Sequence, residues 1–278
     1  MRNEYRTGPV YRAGLIVSGG MCAGLGIAIL AALVLHRTSY ARLLSASGPT
    51  PPAAAVGFVA CGLALIAVGF WVPRATSMLA MVALSMAVAL AAERAFALGP
   101  RVETLVAANL GAGDWQAIAP NTVVVLLLAA AALLMRHANR WFQAPLGAVA
   151  VMGSIIFAIG AVGCVGYMTG IPSYAWQPRA PMSFLSAVCS GVLGLGILMS
   201  ACRYSELDDS GVPRWFSLVV CTGAVAITAS TTVAYLCRDG QTWQPAEMIG
   251  LIPMMIVSWM LAVVAGRRAR HSGAPANN

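Results

Sequence analysis

The sequence predicts an all-α integral membrane protein: eight transmembrane helices paired as four repeated helical hairpins, with both termini in the cytoplasm. Three observations predict it. Of 278 residues, 59% are hydrophobic and only 9% charged, with a mean hydropathy of +0.79, whereas a soluble domain carries about 25% charged residues. Apolar runs close to the roughly twenty residues that span a bilayer as a helix recur along the chain. The arginines fall mainly on one side of that pattern.

The first run, 13–35, follows a short basic segment and superficially resembles a signal peptide. It is longer than the roughly 7–15 residues of a signal-peptide core, and no clear cleavage site follows, so it is expected to remain as a membrane anchor. The remaining spans are 53–71, 75–97, 119–135, 145–169, 183–202, 215–237 and 246–265. The fourth is short, bracketed by Pro120 and Arg136. Proline at a helix's first turn costs little because that N–H has no intrahelical partner. Pro52, Pro120, Pro181 and Pro245 each stand where an even-numbered span begins. The chain thus divides into a cytoplasmic segment 1–12, a membrane domain 13–266 and a tail 267–278.

With the N-terminus inside, the cytoplasmic segments hold Arg2, Arg6, Arg12, Arg74, Arg136, Arg140, Arg203, Arg214, Arg267, Arg268 and Arg270. The opposite side holds Arg37, Arg42, Arg94, Arg101, Arg179 and Arg238. Eleven against six obeys the positive-inside rule. The net charge of +8 is therefore a topology signal first, and nucleic acid is not an expected partner.

Odd-numbered spans open on "YRAG" (11–14), "VPRATS" (72–77), "NRWFQAP" (139–145) and "VPRWFS" (212–217). Their arginines recur at intervals of 62, 66 and 74 residues, so the repeating unit is a hairpin, about 13–71, 75–135, 145–202 and 215–265. In the even spans Ala54, Thr122 and Ser186 are each followed eight positions later by Gly62, Ala130 and Gly194. Glycine pairs such as Gly20 and Gly24, Gly160 and Gly163, and Gly191 and Gly194 fit close helix approach.

A Trp-Gln pair precedes three inward-running spans, in "DWQAIAP", "AWQPRAP" and "TWQP". Tryptophan suits the membrane interface because its ring is apolar while its N–H stays wet, and an anchoring role is the preferred reading. The alternative is a ligand pocket at the outer face. It would be lined by Trp115, Trp176 and Trp243, with Gln116, Gln177, Gln244, Tyr167, Tyr235 and Glu247 as polar contacts.

Chemistry has few other footholds. Glu93 and Arg94 close the third span, and Glu247 opens the eighth; structural or capping roles are preferred for both acids over proton relay. "TASTTVAY" (228–235) is read as interhelical packing, with a polar path as the alternative. The seven cysteines lie mostly in apolar runs without CxxC spacing, and His36, His137 and His271 are far apart. No disulfide framework, metal site, cofactor or catalytic residue is expected, and no enzyme signature is present.

"IAPNTVVVLLLAAAALLM" (118–135), "APMSFLSAVCSGVLGLGILMSA" (180–201) and "GYMTGIPSYAW" (166–176) carry a family likeness. They resemble the multi-pass N-terminal membrane sensory regions (MASE-like) that precede histidine-kinase or diguanylate-cyclase domains in bacteria. The likeness covers about 50–204 well and 205–266 more loosely. Ala130 stands where such helices often have glycine, and the 266–278 tail has no room for a kinase or cyclase. The resemblance implies an output domain that was lost, sits on another polypeptide, or was removed.

The expected function is a non-enzymatic sensor or signalling module in a bacterial inner membrane, passing a stimulus to a cytoplasmic partner. A small-solute transporter or channel and a structural subunit of a membrane complex are the alternatives. Beyond the lipid bilayer, its expected partners are a cytoplasmic signalling protein or output domain and further copies of the same chain.

Overall fold

A computed structural model describes residues 9–35, 50–96, 101–109, 118–142, 146–169, 182–202 and short stretches within 219–227. These residues are helical with no strand among them. Seven helices follow in order: α1 (Pro9–Val34), α2 (Pro52–Gly69), α3 (Pro73–Ala95), α4 (Arg101–Asn109), α5 (Pro120–Phe142), α6 (Leu146–Thr169) and α7 (Phe184–Cys202). Five of them, α1, α2, α3, α6 and α7, are long and apolar enough to cross a membrane. The apolar part of α5, Pro120–Arg136, is shorter. The protein is thus built for a lipid bilayer, with several spans.

The first six expected spans coincide with α1, α2, α3, α5, α6 and α7 to within a few residues, α5 excepted. Between the third and fourth expected spans the structure adds a helix that hydropathy does not mark, α4. It is too short and polar for a bilayer-length ruler, yet "RVETLVAAN" is made largely of good helix formers. Likewise α5 runs on to Phe142, past the end of its apolar run. Hydropathy measures what lipid tolerates, not where the helix stops. The seventh expected span is represented only by helical residues within 219–227, and the eighth lies outside the described residues.

Local chemistry sets the helix ends. Proline takes the first helical position of α2, α3 and α5. Ser183 caps α7, its Oγ accepting the Ser186 N–H at 3.2 Å. The end of α2 is a Schellman closure, with Val72 N–H bonded to the Ala67 carbonyl at 2.9 Å and Trp71 N–H to that of Val68 at 3.3 Å. Trp71 occupies the left-handed position at φ 61° that glycine usually takes. That conformation costs a non-glycine residue about 1–2 kcal/mol. The turn carries the exposed trio Phe70, Trp71 and Val72, and Arg12 stacks over the Phe70 ring at 5.3 Å.

Sequence neighbours pair as antiparallel helices: α1 with α2, α3 with α5, and α6 with α7, while α7 also packs on α1 and α2 on α3. Glycines let the backbones meet. A Cβ on Gly19 would lie 2.6 Å from the Gly62 carbonyl, and one on Gly160 only 2.3 Å from the Gly191 nitrogen. Of the glycines expected at contacts, Gly160, Gly163, Gly191 and Gly194 are there, Gly191 as the backbone that Gly160 meets, whereas a Cβ on Gly20 or Gly24 meets nothing. The buried stripe of α1 runs through Leu15, Ser18, Gly19, Cys22, Ala23 and Gly26, which turns Gly20 and Gly24 outward. Lipid offers no hydrophobic drive between helices, so such packing and a few polar bonds hold the bundle.

Candidate functional site

The direction of the helices gathers one kind of chemistry at one end. Helices α2, α5 and α7 run parallel, because Gly57 packs on Leu126 near their starts and Arg136 bonds the Ser200 carbonyl near their ends. Their N-termini therefore meet at one end of the bundle, together with the C-termini of α3 and α6. Most buried polar residues elsewhere close on their own helix: Ser18 bonds Leu15, Thr76 bonds Val72, Ser190 bonds Ser186 and Ser200 bonds Ile197, all through backbone carbonyls. Those at the shared end bond between elements instead.

Thr50 and Ser183, just ahead of α2 and α7, join through their hydroxyls at 2.9 Å, and Ser183 reaches Ser186 at 2.9 Å. All three are buried. Asn121, in the first turn of α5, is equally buried. Its Nδ2 meets the Met182 sulfur at 3.2 Å and its Oδ1 accepts the Thr122 N–H at 3.0 Å. Tyr167, near the end of α6, donates its hydroxyl to the Met182 carbonyl and sets its ring edge-on to Phe184, centroids 5.7 Å apart. Three helix starts and one helix end are thereby tied into one buried polar layer.

Two carboxylates extend that layer. Glu93 closes α3, where the helix dipole disfavours an anion, but its Oε1 accepts the Val102 N–H at the start of α4, where the dipole favours one. Glu103, in the first turn of α4, accepts the Ile118 N–H on Oε1 at 2.9 Å. Its other oxygen, Oε2, is enclosed with no hydrogen-bond partner among the described residues. Burial pushes the Glu103 carboxyl above its ordinary value, and the neighbouring Glu93 adds to the rise; the Ile118 N–H and Arg94 oppose it.

Of the residues expected to line an outer pocket, Tyr167 is described, and it is engaged in packing α6 on α7. Trp115, Gln116, Trp176, Gln177, Tyr235, Trp243, Gln244 and Glu247 lie outside the described residues. Glu93 does cap a helix, though α4 rather than its own. Hydropathy does not single out Glu103, which lies between the third and fourth expected spans. The available signal is an acid early in a nine-residue stretch that also holds the strong helix formers Leu105, Ala107 and Ala108. Among the described residues no three His, Cys, Asp or Glu side chains come together as a metal site would need.

In comparisons with known proteins, no family model matches this chain, and no curated protein or solved structure matches it.

Proposed function

We propose that the chain is a non-enzymatic sensor or signalling module of a bacterial inner membrane, with eight spans in four hairpins and both termini in the cytoplasm. The polar layer faces outward and receives the stimulus; the arginine-bearing end faces a cytoplasmic partner. One observation carries this reading. Buried polar residues bond between helices at one end of the bundle, while those elsewhere in the described spans mostly bond within their own helix. A stimulus at that end bears on the starts of three parallel helices at once.

The hairpin repeat draws support from matching positions. Ala54, Thr122 and Ser186 are all buried. Eight residues on, Gly62 and Gly194 both sit at backbone crossings, where an added Cβ would lie 2.7 Å from the Gly19 carbonyl and 2.8 Å from that of Gly153. The orientation draws support from Arg12 and Arg136 at the opposite end, with the exposed Phe70 and Trp71 beside Arg12 as interfacial aromatics. The likeness of 118–135 and 180–201 to MASE-like sensory regions points to a kinase or diguanylate cyclase as the output.

Crosslinking in native membranes, followed by mass spectrometry of what the cytoplasmic side touches, tests the reading. Capture of a kinase or a cyclic-dinucleotide enzyme is the expected result. Capture of structural membrane subunits alone, or solute flux in reconstituted vesicles, contradicts it.

A further inference from the structure

Glu103 is the buried acid whose bonding the fold leaves incomplete. Its residue is 5% exposed, one carboxyl oxygen holds the Ile118 N–H, and the other is enclosed without a donor among the described residues. Among the described side chains, the charged ones near it are Glu93 and Arg94 at the end of α3. Helix α2, which also packs on α4, and the described head of α5 carry no charged side chain. An ionised Glu103 therefore places a second carboxylate beside Glu93 in a buried corner, with an oxygen to which no described group donates. Burying a charge that way is far costlier than burying a neutral carboxyl.

We infer that Glu103 is a reversible proton-binding site, neutral while α4 is packed and ionised when α4 lifts away from the bundle. A proton is the smallest ligand that completes the enclosed oxygen. A metal ion wants more anionic or imidazole ligands than this pair supplies. On ionisation the O–H bond breaks, the electron pair stays on the carboxylate and the proton leaves to water. The two glutamates also hold α4 at both sides, Glu93 through Val102 and Glu103 through Ile118. Mutual repulsion of the two carboxylates then loosens α4 and, through Ile118, the start of α5. Naming the proton as a stimulus rests on the sensor reading; the proton site itself does not.

Infrared difference spectroscopy across a pH titration tests it, on the purified full chain in lipid nanodiscs. Wild type should show a protonated-carboxyl band that persists above the ordinary glutamate range. Glu103→Gln should remove that band, and Glu93→Gln should move its titration to lower pH by taking away the like charge. No carboxyl titrating above the ordinary range, or a band unchanged in Glu103→Gln, overturns the site. Should Glu103→Gln not fold, a band that stays fixed in Glu93→Gln overturns it equally. A confirmed titration with a captured partner whose output ignores external pH would overturn only the proton's role as stimulus.

Discussion

At the scale of single residues, the polar layer makes sharp demands. The folded form holds the Glu103 proton above the ordinary carboxyl value, for burial first and Glu93 second; that ordinary value is about 4.3. Between the ordinary and the raised value the folded chain binds more protons than the unfolded one, so stability falls as pH rises through that window. Below the window the full stability is present, and above it the loss is complete. Glu103→Gln should flatten this slope in thermal unfolding of the detergent-solubilised protein, and an unchanged slope would assign it to another group. Ser183→Ala removes the α7 cap, worth about 1 kcal/mol, and the hydroxyl bonds to Thr50 and Ser186, averaging about 0.6 kcal/mol each. A double-mutant cycle with Thr50→Ala should return a coupling of about 0.6 kcal/mol. A coupling near zero would mean that the two hydroxyls do not meet. None of these partners was legible in the sequence, because a serine or threonine ahead of an apolar run marks a helix start and does not say which other start it touches.

Helices are where the sequence spoke most plainly. Runs of apolar residues found α1, α2, α3, α5, α6 and α7, since lipid tolerates little else, and Pro52 and Pro120 marked two of their starts. The same ruler was blind to α4, where the polar Arg101, Glu103 and Thr104 interrupt the apolar pattern. It also could not phase the glycines. Gly19 and Gly20 differ by one position, about 100° around the helix, and only the first meets another backbone. That difference is testable. Gly160→Leu should drive α6 and α7 apart and destabilise by at least the roughly 1–3 kcal/mol of overpacking, whereas Gly20→Leu should stay within about 0.5 kcal/mol. Unfolding of both variants in the same detergent checks it; equal losses would place the α1 contact on its other face.

At the scale of the whole bundle, the described helices pair as hairpins whose opposite ends differ in chemistry: bonded carboxylates and hydroxyls at one, Arg12 and Arg136 with the exposed Phe70 and Trp71 at the other. In a cysteine-free background, a membrane-impermeant thiol reagent added from outside should label a cysteine at Phe96 and spare one at Phe70, and the reverse pattern would invert the topology. The proposed sensing role needs two helix arrangements of similar energy, and a stimulus biases them only by binding one better than the other. The most direct test is the distance distribution between spin labels at Met78 and Leu195, both exposed, on α3 and α7 toward the arginine-bearing end. It would be recorded in nanodiscs for wild type and Glu103→Gln on either side of the Glu103 titration. The account predicts two populations whose ratio changes with pH in wild type and stays fixed in Glu103→Gln. A single distance, unmoved by pH in both, would contradict it.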